Sequence, residues 1–116
     1  MSAIVRHESK GILSSAVEHG NTVYLAGITA DDQSQDAKGQ AAQILATIDR
    51  LLALCGSGKS KVLTATIWVS DIRNRPLMNE SWNAWTGGKD LPARACIEWK
   101  MADPNCLVEI QVVAAK

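Results

Sequence analysis

The sequence has little of what would announce a function. Its twelve basic and twelve acidic residues cancel, and neither sign forms a run. A protein that holds nucleic acid through phosphate contacts shows a basic excess or stripe, so the balance argues against that class. Histidine is limited to His7 and His19, so no cluster has metal-ligand spacing and no metal is expected. Cys55, Cys96 and Cys106 make an odd number without a CxxC pair, which speaks against a disulfide framework. No apolar run approaches the length of a membrane span, and "MSAIVRHESKG" lacks the basic start and apolar core of a secretion signal. These absences predict a reduced, cytoplasmic protein with no membrane partner.

What is present suits one domain over residues 1–116, with a single core. His19-Gly20-Asn21 is a turn signal between strands at 13–19 and 22–27. From Gln40 to Cys55 the spacing of Ala41, Ile44, Ile48, Leu51, Leu52 and Cys55 predicts a helix, stopped by Gly56. "KVLTATIWVSD" alternates as a strand, with Leu63, Ala65, Ile67 and Val69 on one side. Asn74 and Pro76 open a second helix with Met78, Trp82 and Trp85 as its apolar stripe, and Gly87-Gly88 closes it. Two strands, 94–101 and 106–114, complete the chain.

This order predicts an α+β fold in which two helices cover one face of a four- to six-stranded sheet. Leu63, Ile67, Ile97, Val108, Ile110 and Val112 are expected beneath the helices. Thr64, Thr66, Trp68, Arg94, Cys96, Glu98, Glu109, Gln111 and Val113 are expected on the open face. That face is too apolar to leave in water, so a further copy of the chain is expected to cover it.

Two motif-like stretches carry no function. "CGSGKS" has Ala53 where a phosphate-binding loop needs its first glycine, and it follows a helix rather than a strand. "NES" at 79–81 falls inside a helix, where a glycosylation acceptor is out of place. His7 and His19 read as solvated side chains.

Arg94, which starts a strand after Pro92, has two readings. It is a sheet-end cation paired with a carboxylate or water, or a rigidly held planar fork that grips a substrate carboxylate. Glu109 is likewise either an ion-pair partner or a carboxylate placed to orient or deprotonate water. Cys96 reads as an inert buried cysteine rather than a nucleophile, since no histidine is expected beside it to activate it.

The stretches "GNTVYLAG", "LLALCG", "VLTATIWVSDI", "MNESWNAW", "LPARACIEW" and "CLVEIQVVA" occur in the order seen in the YjgF/RidA family. The sequence resembles that family over essentially its whole length, most specifically in pairing "PARAC" with a downstream "VEI". The resemblance implies a chorismate-mutase-like subunit assembled as a homotrimer, with sheets packed around a central barrel and sites in the clefts between subunits. Deaminase members hydrolyse reactive enamines and imines of amino acids to 2-keto acids and ammonia without metal or organic cofactor. Arg94 then resembles the carboxylate-binding arginine, Glu109 the glutamate that positions water, and Cys96 the cysteine lining the pocket. Asn79 resembles the asparagine at the pocket edge, and Gly27 the glycine at the hairpin's site-facing end.

The hairpin side departs from the pattern. Ala26-Gly27-Ile28 stands where studied deaminases carry Ser-Gly-Gln, and Leu13 stands in place of a tyrosine. The segment from Asn79 to the arginine is about two residues shorter than usual in the family. A more apolar imino acid is thereby as suitable a substrate as the smallest one. The alternative is a non-catalytic member that binds small carboxylates or a protein partner; a third reading is the endoribonuclease activity attached to some members.

Overall fold

A computed structural model describes residues 3–116. The strands are β1 (Ile4–Lys10), β2 (Leu13–His19), β3 (Thr22–Leu25), β4 (Ile28–Thr29), β5 (Val62–Val69), β6 (Ala93–Glu98) and β7 (Val108–Ala115). The helices are α1 (Ala37–Leu54) and α2 (Arg75–Thr86). One seven-stranded sheet runs in the order β1-β2-β3-β7-β5-β6, with β4 also beside β7. Every pairing is antiparallel except β5 with β6, which α2 links as a crossover.

Both helices lie on one face of the sheet, as expected. Helix α1 begins three residues before the expected Gln40, because Asp36 caps it by accepting from the Gly39 N–H at 2.9 Å. Its stripe of Ala41, Ile44, Ile48, Leu51 and Leu52 is fully buried against β7 and β3. Burial of each large aliphatic side chain in that stripe contributes about 1.5–3 kcal/mol. Gly87, with φ 62°, ends α2 in the left-handed conformation that only glycine adopts at little cost.

Four expectations need correction, the first being the sheet's size, which is seven strands rather than four to six. Strand β1 was not foreseen; it closes a hairpin on β2 and makes His7 a partner of Glu18 rather than a solvated side chain. Leu63 is half exposed, because a bulge between Val62 and Thr64 turns it out and places Val62 in the core. The faces of β6 are also reversed. Arg94 sits beside Ala65 and Cys96 beside Ile67, both helix-side positions, whereas Ile97 sits beside Trp68 on the open face.

The open face therefore carries Val17, Tyr24, Thr64, Thr66, Trp68, Ile97, Glu109, Gln111 and Val113. Tyr24 is 46% exposed and Ile97 41% exposed, so this face presents apolar surface with nothing of its own chain over it.

Gln40 locks the helix layer to two loops. It is fully buried; its Nε2 donates to the carbonyls of Gln33, Gln35 and Asn105, and its Oε1 accepts from the Leu107 N–H. Replacing it removes the partner of a backbone donor and three acceptors at once. Gln40→Ala is expected to lower unfolding free energy by about 3 kcal/mol, measured by urea denaturation. A change within about 0.5 kcal/mol contradicts this role.

Candidate functional site

The parallel register of β6 on β5 aims Arg94 at helix α2. Its Nη1 donates to Asn79 Oδ1 at 2.8 Å, and its guanidinium carbon lies 5.3 Å from the centroid of the Trp82 ring. Asn79 and Trp82 are three residues apart on α2 and so share one helix face. Trp82 is buried and leans on Trp85, whose Nε1 donates to Asp49 Oδ1 at 2.9 Å. A cation held over an indole face gains about 0.5–2 kcal/mol. Among the described residues no carboxylate lies within ion-pair distance of Arg94. The sheet-end ion pair that its sequence position allowed is therefore not made, and its remaining N–H donors stay available to an anion.

Cys96 lies two residues along the same strand and on the same face as Arg94. It is half buried, and burial pushes its thiol up, while Arg94 and Arg75 pull the other way. The thiol form therefore prevails near neutrality, as the sequence reading of an unactivated cysteine requires. Cys96 alkylation by iodoacetamide, followed by mass spectrometry, is expected to be slower at pH 8 than that of an unstructured cysteine peptide. It is expected to accelerate only above the ordinary thiol range. Alkylation faster than the peptide at pH 7 contradicts this.

Glu109 lies beside Trp68 and Thr29 on the open face and is partly buried. Its carboxylate rests directly on Gly27, so closely that a Cβ added there would overlap its oxygen. The expected single strand at 22–27 is in fact interrupted at Ala26-Gly27, so β3 and β4 meet β7 separately. The Ala26 N–H turns to the Ser15 carbonyl, and Gln111 Nε2 reaches the Leu25 carbonyl at 3.1 Å. This break brings the glycine backbone against the carboxylate. Leu13, Ala26, Gly27 and Ile28 line an adjoining cavity of about 350 Å³, together with the ion pair of Glu8 and Arg50. A groove on the other side of Glu109 is formed by Trp68, Trp99 and Met101.

The predicted residues thus fall into two groups. Arg94, Asn79 and Cys96 stand together beside α2; Glu109 meets Gly27 at the hairpin, and Leu13, Ala26 and Gly27 line a cavity that extends to Thr47, Arg50 and Leu51 of α1. The sheet separates Arg94 from Glu109, so within one chain the two do not form one cleft. Trp82, Gln111 and the Glu8–Arg50 pair were not singled out from sequence. The spacing of Asn79 and Trp82 could have revealed the first, but nothing local marks the others.

A mixed sheet with two helices on one face, an unpaired arginine on its edge strand and a carboxylate on its open face defines the class. The chain belongs to the YjgF/RidA family, whose model, described as endoribonuclease L-PSP, matches residues 4–116. It is 38% identical to the RutC family protein YoaB of Escherichia coli over 112 residues, covering 97% of each chain. A RutC family protein of Haemophilus influenzae is 39% identical over 103 residues, covering 88% of this chain and 89% of its own. The crystal structure of a YjgF family member from Neisseria meningitidis superposes with a TM-score of 0.95 at 38% identity, covering 98% of this chain and 95% of that one.

Proposed function

We propose that the chain hydrolyses imines and enamines of 2-amino acids to 2-keto acids and ammonia, in a site completed by two copies of itself. The observation that carries this reading is the unpaired Arg94 guanidinium, fixed by Asn79 and Trp82 with donors to spare. A planar fork so held matches the carboxylate that every such substrate carries. The open sheet face supplies the reason for association. Covering Tyr24, Trp68 and Ile97 with a second chain removes apolar surface from water, and a cyclic trimer with a chorismate-mutase-like barrel does so for every copy.

In this arrangement Arg94 and Asn79 of one protomer hold the substrate carboxylate, and Glu109 of its neighbour faces the imine carbon. An enamine first takes a proton on carbon and gives one up from nitrogen to become the imine. Glu109 then removes a proton from water as its oxygen bonds to the imine carbon, and nitrogen takes up a proton. The resulting carbinolamine collapses, the C–N bond breaks, and the 2-keto acid and ammonia leave. The imine carbon is already electrophilic, so the reaction needs no cofactor and little beyond orientation and proton transfer. Cys96 lines the pocket as a thiol. Leu13, Ala26 and Ile28 bring apolar groups to the hairpin side, but Glu8, Lys10, Asp31 and Arg50 line the same cavity, so the substrate's side chain meets a mixed lining rather than an aliphatic one.

Imines generated in situ by an amino-acid oxidase test the reading through the rate of 2-keto acid release. Arg94→Ala is expected to lower kcat/KM about a hundredfold, the loss of roughly 3 kcal/mol of charge-assisted hydrogen bonding. Glu109→Gln is expected to lower kcat by about 10²-fold or more. Gly27→Ala is expected to approach the Glu109→Gln rate because its methyl displaces the carboxylate, with unchanged circular dichroism. Equal acceleration by wild type and Arg94→Ala removes the role of the arginine. Saturable 2-keto acid binding by calorimetry, without turnover of any imine, favours the non-catalytic carboxylate binder instead.

A further inference from the structure

Apart from the residues assigned to that site, three unlike ligand types meet at one corner of the fold. Strand β1 contributes His7, β2 contributes Glu18, and the residue that ends α1 is Cys55. The His7 Nε2 lies 2.5 Å from Glu18 Oε2. One ligand atom from each of the three residues falls within 4.8 Å of the other two. The corner is enclosed: Cys55 is 3% exposed, and the side chains of His7 and Glu18 are 21% and 13% exposed.

We infer that His7, Glu18 and Cys55 form a binding site for a divalent transition metal of the zinc type. An imidazole, a carboxylate and a thiolate are together the donor set of a borderline-soft ion, and they suit neither magnesium nor calcium. Bonds of about 2.0–2.3 Å around a tetrahedral ion set its ligand atoms roughly 3.3–3.8 Å apart. The observed cluster reaches that spacing by small side-chain rotations that open the His7–Glu18 contact. Water completes the fourth position from the His7 side, which is the more exposed.

The helix end favours a cation here, and the neighbouring Lys116 ammonium weighs against one without occupying the ligand atoms. Cys55 closes an 18-residue helix, whose carbonyl end carries partial negative charge. Lys116 Nζ binds Glu18 Oε1 at 2.6 Å, on the carboxylate oxygen that His7 does not touch, so the ion pair and the metal use different oxygens. Burial, with Glu18 nearby, pushes the Cys55 thiol up; a divalent ion reverses that preference by taking the thiolate. Bound metal ties the β1–β2 hairpin to the end of α1, a connection otherwise made through side-chain contacts alone.

Titration of the metal-free, reduced protein with Co²⁺ reads the site directly. The expected result is one ion per chain, with a thiolate-to-cobalt charge-transfer band in the near ultraviolet and displacement of Co²⁺ by Zn²⁺. Cys55→Ser is expected to abolish the band, and His7→Ala to weaken binding at least a hundredfold, the upper range for losing even an outer-shell partner. Cys106→Ser is expected to retain both. X-ray absorption of the zinc-loaded wild type, which needs no variant to fold, is expected to find one sulfur among nitrogen and oxygen ligands. Absence of the band in wild type, its survival in Cys55→Ser, or a zinc shell without sulfur overturns the assignment.

Discussion

Alternation of side chains in a pleated sheet governs what this chain can do. Adjacent strands place laterally paired residues on the same face, so the register of β5 decides both sides. Ala65 carries Arg94 beside it toward the helices, and Trp68 carries Glu109 and Ile97 beside it toward the open face. No rotamer moves either charge through the sheet. A reaction that needs both a carboxylate anchor and a water-directing carboxylate must therefore bring a second copy to the edge of the first.

Each half is held for a stated physical reason. Arg94 stands on an edge strand, where a long side chain would otherwise sample many rotamers. The hydrogen bond to Asn79 and the Trp82 ring restrict it to one side of α2. Glu109 stands where the β3–β4 interruption lets glycine backbone approach, and Gln111 bonds the carbonyl at the strand break. Beneath both, Gln40 fixes the loop before α1 and the loop before β7, which sets where β7 begins. The apolar open face offers a surface that association would cover, and the two halves define what association would assemble.

Much of this was legible in the residues. Helices α1 and α2, strand β5 and strand β7 announced themselves because their apolar periods are regular and helix ends carry Pro76, Gly56 or Gly87, although the Asp36 cap that starts α1 went unread. Arg94, Glu109, Gly27 and Asn79 stood out through motif resemblance rather than through periodicity. Strand β1 was hidden because Arg6, His7 and Glu8 give it no apolar face, and its pairing partner alone defines it. The phase of β6 was illegible for a related reason. An exposed edge strand reading Ala-Arg-Ala-Cys-Ile-Glu favours neither face, and its parallel pairing with β5 fixed the choice. Leu63 misled because a bulge shifts the alternation by one residue, which turns a side chain from core to solvent. The His7–Glu18–Cys55 cluster joins positions distant in sequence, so no spacing rule could have brought them together.

The central claim is that one site draws Arg94 from one protomer and Glu109 from another. Co-expression of Arg94→Ala chains with Glu109→Gln chains, followed by the imine hydrolysis assay on the mixed oligomer, tests it directly. Each variant alone is expected to keep only about a hundredth of wild-type activity. If the two residues act across an interface, random mixing in equal amounts pairs an intact arginine with an intact glutamate in about a quarter of the sites, and about a quarter of wild-type activity returns. If both residues act from the same chain, every site lacks one of them and the mixture stays as slow as its parts.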